Sequence, residues 1–138
     1  MSRVLGLDPG TKRCGVAVSD TRRTMAFPRP AFAVNEDLLV RLAALVDEEE
    51  IGLVVVGRPL ALAGHETPST IEAHSLFVRI RDALRHVTVV QWDERLTTLE
   101  AQKSLSGAGM RAKEQRDHID SAAAVVLLQG YLSAISPT

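Results

Sequence analysis

The feature that most restricts the fold of this chain is a predicted β-hairpin over residues 3–20. Two short apolar runs, residues 4–7 and 16–18, flank a turn rich in glycine and basic residues. Short apolar runs bounded by glycine and proline predict buried strands rather than helix. A tight turn between two such runs predicts that the strands pair antiparallel. Asp8 ends the first run, so we expect its carboxylate within or at the edge of a sheet core.

A carboxylate in that position needs a partner. Without a nearby cation, burial would favour its neutral form. Lys12 and Arg13 in the turn can supply positive charge, and so can a metal ion. The alternative is that Asp8 only caps the turn through the neighbouring backbone.

Length and composition predict one cytoplasmic domain over residues 1–138. A chain of 138 residues is long enough to bury a core without disulfides. Only 4% of the residues are aromatic, so the predicted core is aliphatic, which suits a sheet covered by helices. Cys14 is the single cysteine, which fits a reducing compartment. No apolar run approaches about 18 residues and no signal-peptide pattern is present, so no membrane contact is expected.

The charge distribution is uneven. The net charge of −1 argues against a strongly basic nucleic-acid-binding protein. Basic residues are nevertheless concentrated in residues 1–33 and 103–118, and acidic residues in 34–51. This pattern predicts either a positive face on one side of the molecule or ordinary solvated surface charge.

After the hairpin, strand and helix patterns alternate. Residues 24–34 predict an edge strand, because Pro28 and Pro30 remove ladder donors. Residues 53–56 form a continuous apolar run that predicts a central parallel strand, and residues 87–92 predict the last strand. We expect helices to start at Asn35, at Ser69 or Thr70, at Thr97 or Thr98, and near Asp117 or His118. The order β-β-β-α-β-α-β-α-α predicts an α/β fold, a mixed five-stranded sheet with helices on both faces.

Three acids share one kind of location in this arrangement. Asp8 ends the first strand, Glu94 follows the last strand, and Asp120 lies in the first turn of the last helix. If they converge, their charges repel unless a cation binds between them. Oxygen ligands without a histidine or cysteine set suit Mg²⁺ or Mn²⁺, and two such ions can promote phosphodiester hydrolysis. The three acids are therefore the predicted catalytic and metal-binding residues.

Further candidates surround these acids. Asp117 lies three residues before Asp120, so on a helix both would share a face, and Asp117 is either a fourth metal ligand or an ordinary N-cap. Basic side chains are predicted to hold backbone phosphates. They are Lys12, Arg13, Arg58, Arg95, Arg111, Lys113 and Arg116.

Four motifs in the right order resemble the YqgF family, also called RuvX-like. They are GLDPGTK from Gly6, VGRPL from Val56, DERLTT from Asp93 and IDSAAA from Ile119. The resemblance covers nearly the whole chain.

This resemblance implies a ribonuclease H-like fold related to the resolvase RuvC. It implies Asp8, Glu94 and Asp120 as the acidic metal-binding triad. It also implies a nuclease that matures the 5′ end of pre-16S ribosomal RNA, with resolution of Holliday junctions or branched DNA in recombination and repair as the alternative. A junction-cutting enzyme would be expected to act as a symmetric homodimer.

Two readings of other classes remain open at this stage. One is a nuclease fold that binds nucleic acid or protein without cutting. The other is an ATP-binding domain of the sugar-kinase and actin type, whose phosphate loop also follows a first strand. Such proteins use two copies of that domain, whereas 138 residues supply one.

Overall fold

A five-stranded mixed sheet with helices on both faces forms the centre of the fold. The computed structural model describes residues 2–59, 63–94 and 121–135. Its strands and helices are β1 (Arg3–Asp8), β2 (Arg13–Ser19), β3 (Ala26–Ala33), α1 (Leu38–Glu48), β4 (Ile51–Arg58), α2 (Pro68–Ala83), β5 (Thr88–Asp93) and α3 (Ala122–Ile135). The strand order is β3-β2-β1-β4-β5. The first three strands pair antiparallel, and β4 pairs parallel with both β1 and β5.

This topology confirms the predicted fold class. The hairpin is β1 and β2, and the apolar run in the middle of the chain is the central parallel strand β4. Strand β4 is longer than predicted, because it continues through Gly52 and Gly57, which had been expected to bound it. Both glycines lie where an added Cβ would press against a neighbouring side chain. They are therefore positions of close approach inside a strand rather than strand ends.

The sheet separates two apolar cores. Leu7 and Val56 pack with α1 and α2 on one face, whereas Val4 and Val55 pack with α3 on the other. Side chains alternate between faces along a strand. Asp8, one residue after Leu7, therefore points to the α3 face.

Helix α3 crosses the sheet at short range. A Cβ added to Gly6 would lie 2.8 Å from Cβ of Leu128. Any side chain at position 6 would push the helix away from β1. Because Gly6 is two residues from Asp8, this contact also fixes the distance between α3 and the end of β1.

The helix starts differ from the predictions in two places. Asn35 does not cap α1; its side chain accepts a hydrogen bond from the Asp37 backbone N–H (2.9 Å) in a turn before the helix. The N-cap of α2 is Thr67, which forms a capping box with Thr70 ahead of the Ser69 or Thr70 start that was predicted. In both cases several hydrogen-bonding residues stand in a row, and tertiary contacts select one.

Two predicted helix faces were also partly wrong. The helical spacing of apolar residues predicts Ile71 on the inner face of α2, but Ile71 is 64% exposed, and Ala73 is buried in its place. In α3 the buried residues are Ala124, Val125, Leu127, Leu128, Gly130 and Leu132. The sequence pattern favours a different stripe, whose described members are Ala122, Ala123, Val126 and Leu127, and only Leu127 of these is buried. The almost uniformly apolar sequence of α3 has no polar side that would indicate the correct orientation.

The remaining observations concern the cysteine, the membrane and the domain. Cys14 is fully buried. Within residues 2–59, 63–94 and 121–135, no helix is long and apolar enough to cross a membrane. The cytoplasmic location and the single domain over residues 1–138 stay predictions, and the predicted helix start at Thr97 or Thr98 lies outside the described residues.

Candidate active site

Asp8 and Glu94 meet at one end of the sheet. Asp8 is the last residue of β1, Glu94 directly follows β5, and β4 lies between these strands. The Glu94 carboxyl hydrogen-bonds the Asp8 side chain. Two acids that are 86 positions apart in the sequence therefore share one site on the α3 face.

Gly57 makes this meeting possible. It occupies the position of β4 between the two acids, and a Cβ there would lie 3.1 Å from Cδ of Glu94 and 3.0 Å from Cδ2 of Leu127. The Glu94 side chain thus packs directly against the backbone of Gly57, which has no side chain, and reaches Asp8. A larger residue at position 57 would have to displace either the acid or the helix.

The surroundings of this pair favour the protonated form of Glu94. Burial, the hydrogen bond to Asp8, and the charges of Asp8 and Asp93 raise the pKa of Glu94 from 4.5 to about 9. The neutral form of the Glu94 carboxyl is therefore favoured where no cation is bound, with Glu94 hydrogen-bonded to the Asp8 side chain. Two adjacent acids that share a proton have a combined charge well below that of two separate carboxylates.

Cys14 packs in the core on the opposite face of the sheet from the acids and takes no part in nucleophilic chemistry. Burial, and secondarily the charge of Asp8, raise the pKa of the Cys14 thiol to about 12. The neutral thiol is a weak nucleophile and a poor metal ligand. Its Sγ instead lies 3.7 Å from the carbonyl oxygen of Gly15.

Ser121 anchors the start of α3 beside the acids. The β2–β3 ladder shifts register between Cys14 and Val16, where β3 carries an extra residue. The Ser121 hydroxyl fills the gap: it accepts a hydrogen bond from the Val16 N–H (3.0 Å) and donates one to the Arg29 carbonyl (2.6 Å). The side chain is fully buried. Val16 pairs with Leu7, the residue before Asp8 in β1. The Ser121 hydroxyl therefore binds the sheet close to the end of β1.

The turn after Asp8 presents two basic residues. A Cβ on Gly10 would collide with the Arg13 carbonyl oxygen, so the turn closes only around glycine. The Lys12 carbonyl accepts a hydrogen bond from Val34 N–H (2.9 Å), which ties the turn to the end of β3. The side chains of Lys12 and Arg13 are exposed at this end of the sheet.

Arg58 lies elsewhere. Along β4 the residues Val54 and Val56 face α1 and α2, and Arg58 continues this alternation. Its guanidinium pairs with Glu66 at 3.1 Å rather than with the acids. The sheet therefore separates Arg58 from the acids, and its predicted contact with a backbone phosphate stays a prediction.

The remaining predicted site residues lie outside the described residues. They are Arg95, Arg111, Lys113, Arg116, Asp117 and Asp120. Among the residues that the structure describes, no group of three or more histidine, cysteine, aspartate or glutamate side chains could hold a metal ion. The part of the predicted triad that is visible is the pair of Asp8 and Glu94.

Sequence reasoning gave no role to Gly57 and Ser121, although both lie in motifs that it singled out. The signal at Gly57 was a glycine inside a β-branched run, which marks a close approach of other atoms. The signal at Ser121 was a hydroxyl residue entering an apolar helix directly after a candidate ligand. Neither signal identifies the residues that Gly57 and Ser121 contact in the fold.

Comparison with known sequences identifies the family. The model of the RuvX family, described as Holliday junction resolvase, matches residues 2–134. The chain belongs to the RuvX family. Relatives in Brucella anthropi and Brucella canis are each 36% identical over 137 residues, which cover 96% of this chain and 81% and 82% of theirs. Each is named as a candidate pre-16S rRNA nuclease. The resemblance predicted from the motifs, and with it the nuclease class, is confirmed.

Solved structures confirm the fold. RuvC of Thermus thermophilus in complex with a Holliday junction substrate superposes with a TM-score of 0.67 at 13% identity, covering 100% of this chain and 98% of that one. The fowlpox virus Holliday junction resolvase superposes with a TM-score of 0.58 at 12% identity, covering 97% and 99%. At these identities the likeness establishes a shared ribonuclease H-like architecture.

Proposed function

We propose that this RuvX protein is a divalent-metal-dependent nuclease whose metal ligands are Asp8, Glu94 and Asp120. The observation that carries the proposal is the meeting of Asp8 and Glu94 on one face of the sheet. Nothing in the packing of an apolar core requires two acids to be brought together across a bare strand. A site that binds cations does require it.

The donor set fits Mg²⁺ or Mn²⁺. The pair offers only carboxyl oxygens, which these hard cations prefer, and the Cys14 thiol packs on the opposite face of the sheet. The raised pKa of Glu94 supports this choice, because a cation bound between the two acids would take the place of the proton. When bound, one or two such ions would neutralise charge on the phosphodiester and favour its hydrolysis.

The chain's own groups would hold the substrate in place. Asp8 stays fixed at the end of a central strand, and Glu94 packs against Gly57. The carboxyl oxygens of both acids are therefore oriented before a cation binds. Lys12 and Arg13 stand on the turn that follows Asp8, where they would contact backbone phosphates. Arg95, Arg111, Lys113 and Arg116 remain proposed phosphate contacts from the sequence.

Support for Asp120 comes from its neighbour. Consecutive Cα atoms are about 3.8 Å apart, and Ser121 is hydrogen-bonded to the ladder one residue from Asp8. The position of Ser121 therefore supports the proposal that Asp120 is the third ligand. Asp117 remains a proposed fourth ligand.

Ser121→Ala should weaken manganese binding. Loss of the hydroxyl leaves the Val16 N–H and the Arg29 carbonyl without their partner, which costs about 1–3 kcal/mol of stability. It also frees the start of α3, so we expect the affinity for Mn²⁺ to fall about 10- to 100-fold, as for other residues that orient ligands. Calorimetric titration with MnCl₂, at a temperature where the variant is folded, measures the change.

Ser19→Ala is the matched control. Ser19 is also buried in β2, accepts a hydrogen bond from the Val4 N–H (2.8 Å) and donates one to the Asp20 carbonyl (2.8 Å), at the far end of the strand. It should lose comparable stability and keep its manganese affinity within about twofold. Equal manganese affinities of Ser121→Ala and the unmutated protein would refute the positioning role.

The proposed substrate is the 5′ end of pre-16S ribosomal RNA, after the names of the Brucella relatives. The test is incubation with a labelled precursor transcript and MnCl₂, followed by mapping of the new 5′ ends. Cleavage at discrete sites before the mature end supports the proposal. Intact transcript in MnCl₂ and in MgCl₂ would refute it.

The second candidate substrate is branched DNA, which the family description favours. A four-way junction assayed in parallel distinguishes the two. Symmetric cutting of opposite strands would also indicate a homodimer, because each nick needs its own active site.

A further inference from the structure

A second cleft lies on the opposite face of the sheet from Asp8 and Glu94. Its volume is about 340 Å³, within the range of small-ligand sites. It lies where β4 and β5 end beside the start of α2. The described residues that line it are Arg58, Glu66, Thr70, Ile71, His74 and Gln91.

The Gln91 side chain lines this cleft. Its Nε2 is buried and has no hydrogen-bond partner among the described residues. Its Oε1 lies 3.4 Å from Nδ1 of His74. A buried N–H without an acceptor costs about 1–3 kcal/mol, so proteins rarely keep one without a reason. A ligand in the cleft could supply the missing acceptor if the Gln91 amide turned toward it.

The other lining groups define what such a ligand would be. Arg58 and Glu66 form an ion pair that presents donors and acceptors side by side, with side chains 36% and 62% exposed. Ile71 is apolar and 64% exposed, and the His74 ring is exposed as well. The Thr70 hydroxyl already donates a hydrogen bond to the Pro59 carbonyl, so it is not a free donor for a ligand. The cleft thus combines polar edges with flat or apolar surfaces.

We propose that this cleft binds an unpaired nucleobase of the strand that is being cut. A base has apolar faces for Ile71 and His74, and a polar edge for the Gln91 amide. Gln91 precedes Glu94 by three residues, about 10 Å along the chain. A strand that passes over the end of the sheet can therefore place one base in the cleft and a nearby phosphate at the acids. This proposal rests on the proposed nuclease function and specifies its substrate as locally single-stranded.

The test combines one substitution with a damaged substrate. Binding of a fluorescein-labelled single-stranded RNA is measured by anisotropy in CaCl₂, with one abasic nucleotide moved stepwise along the strand. In the unmutated protein we expect one register at which the missing base weakens binding about tenfold. In Gln91→Leu the same abasic position should cost less than about twofold, because the base no longer has its partner.

Gln129→Leu is the matched control. Gln129 is satisfied, since it accepts from the Ala26 N–H (3.1 Å) and donates to the Thr24 carbonyl (2.9 Å). This variant should lose stability and keep the abasic pattern. Gln91→Leu should keep or raise the melting temperature, because it removes a buried donor that has no partner.

Two results would overturn the base-binding cleft. One is an equal abasic pattern in Gln91→Leu and the unmutated protein. The other is a melting temperature that falls in Gln91→Leu as much as in Gln129→Leu, with unchanged RNA binding, which would assign the amide to a structural water. The same abasic series made in DNA shows whether the cleft prefers RNA or DNA. A single sensitive position in either series supports the cleft.

The outcome separates from that of the proposed function. If one abasic position weakens binding but the protein never cuts RNA in MnCl₂, the base-binding cleft is supported and the nuclease function is refuted. If the protein cuts RNA but no abasic position weakens binding, the nuclease function is supported and the base-binding cleft is refuted.

Discussion

Asp8→Asn should abolish cleavage while the protein stays folded. Asparagine has the size of aspartate but no charge, so it cannot hold a divalent cation together with Glu94. We expect the rate of cleavage in MnCl₂ to fall about 1000-fold or more, which corresponds to about 4 kcal/mol of transition-state stabilisation. Single-turnover cleavage of the labelled RNA transcript measures the rate, and circular dichroism confirms the fold.

The control for this experiment is Asp20→Asn. Asp20 directly follows β2 at the far end of the hairpin, and its Oδ1 accepts hydrogen bonds from the Thr24 and Met25 N–H groups (2.7 and 3.0 Å). Asparagine keeps that acceptor, so activity should stay within about twofold. Activity of Asp8→Asn close to that of Asp20→Asn would contradict the assignment of Asp8 as a ligand.

Glu94→Gln should abolish activity and yet stabilise the metal-free protein at alkaline pH. The pKa of Glu94 is about 9 in the folded protein and 4.5 when unperturbed. Between these values the unfolded chain releases the proton that the folded chain keeps. The free energy of unfolding therefore falls as pH rises from about 4.5 to 9. Glutamine carries no titrating proton, so this decline is absent in the variant.

The size of the effect follows from the exposure of the carboxyl. Since solvent reaches part of it, we expect the variant to gain about 1–2 kcal/mol over the unmutated protein at pH 9, less than the full shift would give. At pH 4 the two should be equal, because both side chains are neutral. Urea denaturation in EDTA at pH 4, 7 and 9 measures the difference, with the exposed Glu36→Gln as control. A difference that does not change with pH would contradict a proton shared with Asp8.

The sequence predicted the sheet well because its signals are local. The hairpin, the parallel strand β4 and the edge strand β3 each follow from apolar runs, glycines and prolines within a few residues. The convergence of Asp8 and Glu94 could also be expected, because strand ends in a parallel arrangement meet at one edge. The family motifs then made one nuclease class stand out from the alternatives.

The rest depends on contacts that no local pattern encodes. Arg58 follows a motif glycine, yet its register in β4 sends it to the opposite face, beside Glu66. Ser121 completes a ladder in strands more than 90 positions away. The inner face of α3 is chosen by the fit of Leu128 on Gly6, since nearly every residue of that helix is apolar. Such choices arise from packing rather than from propensity.

The central claim is that side chains remote in sequence bind a divalent cation together. The most direct measurement is a crystal structure of the protein soaked in MnCl₂, with anomalous diffraction to locate manganese. We expect an anomalous peak for manganese that lies about 2.0–2.3 Å from carboxyl oxygens of both Asp8 and Glu94. Manganese bound only at other sites, with Glu94 still hydrogen-bonded to Asp8, would contradict it.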